Sequence, residues 1–209
     1  MSVPVRDAIR GFYAVLDRDD EALARQLLSA GARVLQLRLK GPRACSTRAL
    51  VALARRARRW CDEAGAALVI NDRVDVALLA NADGVHLGQT DLPLRAARRI
   101  AGSLWIGVST HTLQQVQIAV SEGADYLGFG PVFETRTKAN PDPVQGITGL
   151  RAAVAVAAGT PIVAIGGCTP DHATALYDAG AAAVCAISAI NDSADVVANA
   201  RRLHRNPAP

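Results

Sequence analysis

Apolar positions along the chain follow two alternating periods. Short β-branched or apolar runs ending in Gly, Asn, Asp or Thr read as strands. The Ala/Leu/Arg-rich stretches after them read as helices. The pattern predicts eight strands, at 13–16, 34–38, 67–70, 84–87, 105–108, 126–129, 162–165 and 183–187. Eight helices alternate with them, at 20–30, 44–64, 74–80, 93–101, 112–122, 147–158, 170–179 and 190–204. Punctuation agrees. Gly31, Gly65, Gly123 and Gly180 each stand just past a helical run and just before an Ala, where a left-handed helix terminator belongs. Thr112, Thr169-Pro170 and the Asp91 to Pro93 stretch read as helix starts.

Eight βα units in 209 residues make each about 26 residues long, near the compact end for a (β/α)8 TIM barrel. An open doubly wound sheet uses the same alternation. The eight strands, with no G-x-G-x-x-G after the first, favour the barrel. The expectation is therefore an α/β chain with one (β/α)8 domain over residues 1–209. A lid loop is expected at about 130–146, around Asn140-Pro141-Asp142-Pro143, and a frayed tail at Asn206-Pro207-Ala208-Pro209.

Charge adds one oddity. Of 23 basic residues only Lys40 and Lys138 are lysine, so the chain uses arginine nearly everywhere else. Either the two lysines survive by chance, or they stand where a compact ammonium is required. The net charge of +4 could point to nucleic acid, but the arginines scatter along helices, as in Arg55-Arg56-Ala57-Arg58-Arg59. Three Phe, three Tyr and two Trp are too few for base-stacking platforms. Most of the surplus thus reads as solvated helix face, and no nucleic-acid partner is expected. Cys45, Cys61, Cys168 and Cys185 form no C-x-x-C and no His-paired metal spacing; free thiols in a reducing cytoplasm fit them. The N-terminal residues lack a secretory apolar run, and no apolar stretch is long enough to span a membrane.

In a parallel barrel the chemistry lies at the C-terminal ends of the strands. Polar or glycine residues end seven consecutive predicted strands. Gln36, Arg38 and Lys40 share one face of strand two, with Leu35, Leu37 and Leu39 on the other. Polar side chains in a barrel mouth are costly unless they bind something, although a salt-bridged strand is the plainer alternative. Asp72 and Asp91 close adjacent strands. With Asn71 beside them they could hold one Mg2+, which takes one or two carboxylates and fills its other positions with water and phosphate. Each could instead simply cap the helix that follows it. Gly166-Gly167 after strand seven and Ile187-Ser188 after strand eight suit a backbone phosphate cradle, or a tight turn and nothing more. Thr135-Arg136-Thr137-Lys138 on the lid suits anion recognition. No Cys/His or Ser/His/Asp nucleophile set stands out. His111 and His172 read as cap or surface residues and His204 as part of the tail. Charge-assisted ionisation or transfer fits this inventory better than covalent catalysis.

Seven segments together resemble the thiamine-phosphate synthase family. They are Gln36 to Lys40, Ile70 to Asp75, Gly84 to Leu92, Gly107-Val108-Ser109, Asp125 to Phe133, Thr135 to Lys138 and Ala164 to Gly167, in the family's order. The resemblance runs from Tyr13 to about Ile190 and implies a transferase of thiamine biosynthesis. Such an enzyme joins a hydroxymethylpyrimidine diphosphate to a thiazole phosphate, plain or carboxylated, and releases pyrophosphate. It implies that Gln36, Ser109 and His86 hold the pyrimidine, and that Arg38, Lys40, Asn71 and Lys138 hold the diphosphate. Asp72 and Asp91 would bind Mg2+. Thr135, Thr137, Gly167, Ile187 and Ser188 would hold the thiazole phosphate, with Leu37, Leu39 and Arg136 also among the substrate-binding positions. Arg38, Lys40, Lys138 and Ser109 would carry catalysis, with pyrophosphate leaving before the thiazole nitrogen attacks a pyrimidine cation. Leu39, Cys168 and the Ala181-Ala182-Ala183 stretch depart from the family's usual residues, which bears on packing details only.

Three rivals stay open at this point. A thiazole tautomerase of the same superfamily would not need both aspartates and both lysines. A phosphate-ligand sensor would bind without turnover. A phosphosugar isomerase would use strand-end carboxylates as bases. The partners expected are small molecules only, and a homo-oligomer is compatible with the chain.

Overall fold

A computed structural model describes residues 4–135 and 142–204. Eight parallel strands close in chain order into a barrel: β1 Gly11–Leu16, β2 Val34–Leu37, β3 Ala67–Asn71, β4 Gly84–Leu87, β5 Trp105–Thr110, β6 Tyr126–Phe129, β7 Ile162–Ala164 and β8 Ala183–Val184. Closure pairs Gly11 with Ala183 and Phe12 with Val184. The (β/α)8 architecture expected from the pattern is the one formed.

A short helix, α1 Val5–Ala8, precedes β1, and nothing in the apolar periodicity predicts it. Ala8 and Ile9 close the bottom of the barrel, packing with Tyr13, Val15, Val34, Val69, Trp105 and Tyr126. The outer helices are α2 Glu21–Ser29, α3 Thr47–Ala64, α4 Val74–Leu79, α5 Leu94–Ala101, α6 Leu113–Ser121, α7 Gly146–Val156, α8 Ala173–Asp178, α9 Ser188–Asn191 and α10 Val196–Arg201.

Three helix boundaries move from their expected places, each for a local reason. The 44–64 stretch becomes helical only at Thr47, because the Ser46 hydroxyl accepts from the Ala49 N–H, and a 3-10 turn at Gly41–Arg43 precedes it. Residues 170–172 form a 3-10 turn led by Pro170. The 190–204 run splits because the Asp195 carboxylate accepts from the Ala198 N–H and starts a new helix.

Side chains divide cleanly by strand alternation. Phe12, Ala14, Leu35, Leu37, Leu68, Ile70, Val85, Leu87, Ile106 and Leu127 face outward into the annulus under the helices. Their neighbours along each strand face the barrel axis. Two aspartates just ahead of strands repeat one joint. Asp83 accepts from the Leu68 N–H (2.8 Å) and pairs with Arg58 (2.5 Å); Asp125 accepts from the Ile106 N–H (2.7 Å) and pairs with Arg98 (2.7 Å). Other arginines pair outside the barrel, Arg25 with Glu21 and Glu63, Arg56 with Asp19 and Arg95 with Glu122. Much of the arginine surplus is thus surface ion pairing. Cys61, Cys168 and Cys185 are buried and Cys45 is exposed, all of them free. Among the described residues no helix is long and apolar enough to cross a membrane.

The chain end is tied down as far as His204. Its Nε2 lies 3.1 Å from the Ala30 carbonyl oxygen and its ring stands edge-on to Phe12. The tail expected to fray lies outside the described residues. Burial, with help from Arg33, holds the His204 imidazole below its ordinary value, against the pull of the Ala30 carbonyl. A histidine kept neutral by folding contributes stability above its unfolded pKa of about 6.5, and that contribution falls away as pH drops toward the folded value. The loss of stability between about pH 7.5 and pH 5 should therefore shrink in His204→Gln, as urea midpoints at the two pH values will show.

Candidate active site

The axis-facing positions of β1 to β6 build a polar chain through the barrel interior beneath its mouth. The Gln36 Nε2 donates to the Tyr13 hydroxyl at 2.9 Å. The Tyr13 and Tyr126 hydroxyls lie 2.8 Å apart. His86 places Nδ1 at 3.1 Å from the Tyr126 hydroxyl and Nε2 at 2.9 Å from Ser109 Oγ. Gln89 fixes the far end by donating to the Ser109 carbonyl oxygen at 2.6 Å. The pattern of strand residues did not single out Tyr13 and Tyr126, because tyrosine is an ordinary strand former. Their clue was glycine inside strands: Gly107 is registered between His86 and Tyr126, and a Cβ there would overlap the Tyr126 ring.

Burial shapes the chemistry of this chain. It drives both phenols well above their ordinary value. Burial, then the charges of Arg38 and Lys40, lowers His86 to about 4. All three groups are neutral near pH 7. Both His86 nitrogens are engaged within the protein, so His86 holds Ser109 in place.

One strand further round, the rim is ionic. Asp72 has a left-handed φ of 64°, a conformation aspartate tolerates better than most residues, with its N–H bonded to the His86 carbonyl at 2.8 Å. That turn aims its carboxylate at Lys40 Nζ, 2.7 Å away, and into hydrogen-bonding range of Asp91. Asp91 in turn accepts from the Gly88 N–H at 2.7 Å. Neither carboxylate caps its helix: Arg73 and Pro93 occupy the cap positions of α4 and α5 with no side-chain cap bond. The capping alternative is set aside on this geometry. Burial and the Asp91 carboxyl push Asp72 upward despite Lys40. Burial alone would also raise Asp91, but hydrogen bonds from Asp72 and Gly88 and the Lys40 charge bring it below its usual value. Two carboxylates forced together create a demand for positive charge, which a divalent cation meets with oxygen ligands. Among the described residues no group of three or more His, Cys, Asp or Glu side chains is placed to hold a metal ion, so a cation here would rest on this pair.

The remaining candidates fall into three groups. Arg38 and Asn71 sit half-buried at the ends of β2 and β3, beside this rim. Leu37 lies in the outer annulus and Leu39 packs against it, so these two bring only backbone to the mouth. On the far side, Val132 N–H donates to the Ile165 carbonyl (3.0 Å) and Phe133 N–H to the Gly166 carbonyl (2.9 Å). That close approach is why Gly166 and Gly167 carry no side chain: a Cβ on either would collide with the Pro131 to Glu134 backbone. The glycines therefore have a steric reason of their own, whatever their N–H groups bind. Ile187 and Ser188 follow at the start of α9.

The described ends of the loop expected to form a lid are pinned. Gln145 N–H donates to the Pro131 carbonyl at 2.9 Å and Gly146 N–H to the Val132 carbonyl at 3.0 Å. His111, expected to be a cap or surface residue, bonds the Gly130 carbonyl and faces Asp142 at 3.5 Å. His172 stacks on Phe133 with ring centroids 3.9 Å apart. Thr135 is half-buried, while Arg136, Thr137 and Lys138 lie outside the described residues. A cavity of about 280 Å³ lined by Arg6, Ile9, Val154 and Pro161 lies at the opposite end of the barrel.

A barrel with paired carboxylates, cations and a buried polar chain on its catalytic face is a (β/α)8 enzyme. A family model described as thiamine monophosphate synthase matches residues 12–190, and the chain belongs to that family, which makes it a transferase. It is similar to the thiamine-phosphate synthase of Moorella thermoacetica, 46% identical over 182 residues, covering 87% of this chain and 85% of the relative. The Anaeromyxobacter dehalogenans thiamine-phosphate synthase is 43% identical over 205 residues, covering 95% and 88%. Among solved structures, the thiamine phosphate pyrophosphorylase of Pyrococcus furiosus superposes with a TM-score of 0.86 at 35% identity, covering 95% of each chain.

Proposed function

We propose that the protein joins a hydroxymethylpyrimidine diphosphate to a thiazole phosphate, giving thiamine phosphate and pyrophosphate. The Asp72–Asp91 pair facing Lys40 carries this reading, since it suits a cation-bound diphosphate beside a polar pocket. In this reading Asp72 and Asp91 hold Mg2+, which when bound supplies positive charge for the departing diphosphate. Arg38, Lys40, Asn71 and the lid residue Lys138 bind the diphosphate oxygens. Gln36 and Ser109 orient the pyrimidine against the barrel mouth, with His86 behind Ser109. Thr135, Thr137, Gly167, Ile187 and Ser188 receive the thiazole phosphate, Arg136 flanks it, and Leu37 and Leu39 contribute backbone only.

The bond from the pyrimidine methylene carbon to the diphosphate oxygen breaks first, its electron pair leaving with pyrophosphate. The thiazole nitrogen lone pair then forms the new carbon–nitrogen bond, and the positive charge ends on the thiazolium. No proton has to move, which agrees with a site whose central histidine, His86, stays neutral. Incubation of the protein with both substrates and Mg2+ tests the reading: thiamine phosphate and pyrophosphate should appear in equal amounts. Turnover of a sugar phosphate with no pyrophosphate would replace it with the isomerase reading. Lys138→Arg should slow turnover despite preserving charge, because the ammonium is compact and the guanidinium is not. Unchanged steady-state kinetics would return the two lysines to chance.

A further inference from the structure

The polar chain beneath the mouth has a direction. Gln36 Nε2 donates to the Tyr13 hydroxyl, so the single Tyr13 proton is left for Tyr126, 2.8 Å away. Tyr126 accepts that bond, and its own proton then points to His86 Nδ1. A neutral imidazole that accepts at Nδ1 carries its proton on Nε2, which here donates to Ser109 Oγ. The Ser109 proton is left over at the end of the chain. At the other end the Gln36 carbonyl oxygen is left over. Each phenol has one proton to give, so the polarity at one end fixes the polarity at the other. Burial keeps both phenols protonated, which prevents charge from breaking the sequence. Gly107 opens the gap through which His86 and Tyr126 meet across β5, and Gly128 leaves room for the other edge of the imidazole.

We propose that Tyr13 and Tyr126 are positioning residues that couple Gln36 to Ser109 through His86, so that the mouth presents an acceptor at Gln36 and a donor at Ser109 to the amino group and ring nitrogen of an aminopyrimidine. This rests on the transferase reading above and goes beyond it, because it assigns the substrate edge that is recognised and residues that do not touch the substrate. An oxopyrimidine presents the reverse edge, a carbonyl acceptor and an N–H donor. To bind it the chain must reverse at every link at once, with Gln36 turning its amide. Cutting the chain in the middle frees the Ser109 end to reorient alone.

The test uses the full chain and its Tyr126→Phe variant, which keeps the ring and removes the hydroxyl. Histidine-selective isotope-labelled NMR without substrates, with His86 assigned by its loss in His86→Gln, should show the wild-type proton on Nε2. In Tyr126→Phe the ring should become a tautomer mixture. In kinetics, loss of one buried hydrogen bond should raise KM for the aminopyrimidine diphosphate roughly tenfold and lower its preference over the oxopyrimidine analogue by a similar factor. KM for the thiazole phosphate should stay within about twofold, since only a general loss of structure would move both substrates together. A wild-type proton on Nδ1 overturns the proposal. So does a tautomer and a preference that Tyr126→Phe leaves unchanged. If Tyr126→Phe does not fold, Tyr13→Phe cuts the chain one link earlier and should lower the preference in the same direction; an unchanged preference there is equally fatal. The NMR readout needs no turnover, so a protein that makes no thiamine phosphate sinks the functional reading while the chain polarity is still measured.

Discussion

Asp91→Ala is expected to abolish Mg2+-dependent pyrophosphate release for practical purposes. If Asp72 and Asp91 hold Mg2+ as proposed, removing one of them weakens the hold on the cation that stabilises the leaving group, which should cost about 3 kcal/mol of barrier, or on the order of a hundredfold in rate. Asp91 also accepts from the Gly88 N–H, so the alanine removes two things at once. Asp91→Asn separates them, because its amide oxygen still accepts from Gly88 while the negative charge is gone. Comparable losses in the two variants assign the effect to charge. Full activity in Asn with a loss in Ala would assign it to the loop, and normal turnover in both would remove Asp91 from the metal site. Titrating Mg2+ against initial rate supplies the second axis: the variants should need more of it, and the wild type should saturate first.

Gly107→Ala is expected to be strongly destabilising. Its Cβ would overlap the ring of Tyr126, a side chain buried on every side, and the strand cannot move without disturbing its neighbours in the closed sheet. Overpacking of this kind should destabilise by about 3 kcal/mol, visible as a lower urea midpoint with an unchanged slope. The double variant Gly107→Ala with Tyr126→Ala should cost less than the two singles added, because the clash disappears with the ring. Strict additivity would mean that the two residues do not meet.

The strands and most helices were legible because alternation and helical spacing are written in the residues themselves. Leu35 and Leu37 point outward and Gln36 inward, as their spacing requires. Helix α1 was not legible because four residues carry no period; it seats Ala8 and Ile9 under the barrel. The rim was half legible. Position along the chain suggested Asp72 and Asp91, but whether they capped helices or faced each other depended on the left-handed turn at Asp72 and the return of Asp91 to Gly88. Tyr13 and Tyr126 stayed hidden because their partnership spans the sheet: 113 residues separate two hydroxyls that touch. Gly166-Gly167 read as a ligand cradle from sequence, and the close passage of the Pro131 to Glu134 backbone gave them a second reason.

The distribution of the four thiols makes the protein a convenient object for spectroscopy. Cys61 and Cys168 are buried with thiols pushed up to about 12, and Cys185 is sealed inside the barrel, so none of the three offers a thiolate to a maleimide near neutral pH. Cys45 is exposed two residues past the 3-10 turn that follows Lys40. An unmodified chain should therefore accept one fluorophore at one place, within a few residues of the cationic rim. The native sequence thus carries its own attachment point for watching ligands arrive, with no cysteine to add or remove.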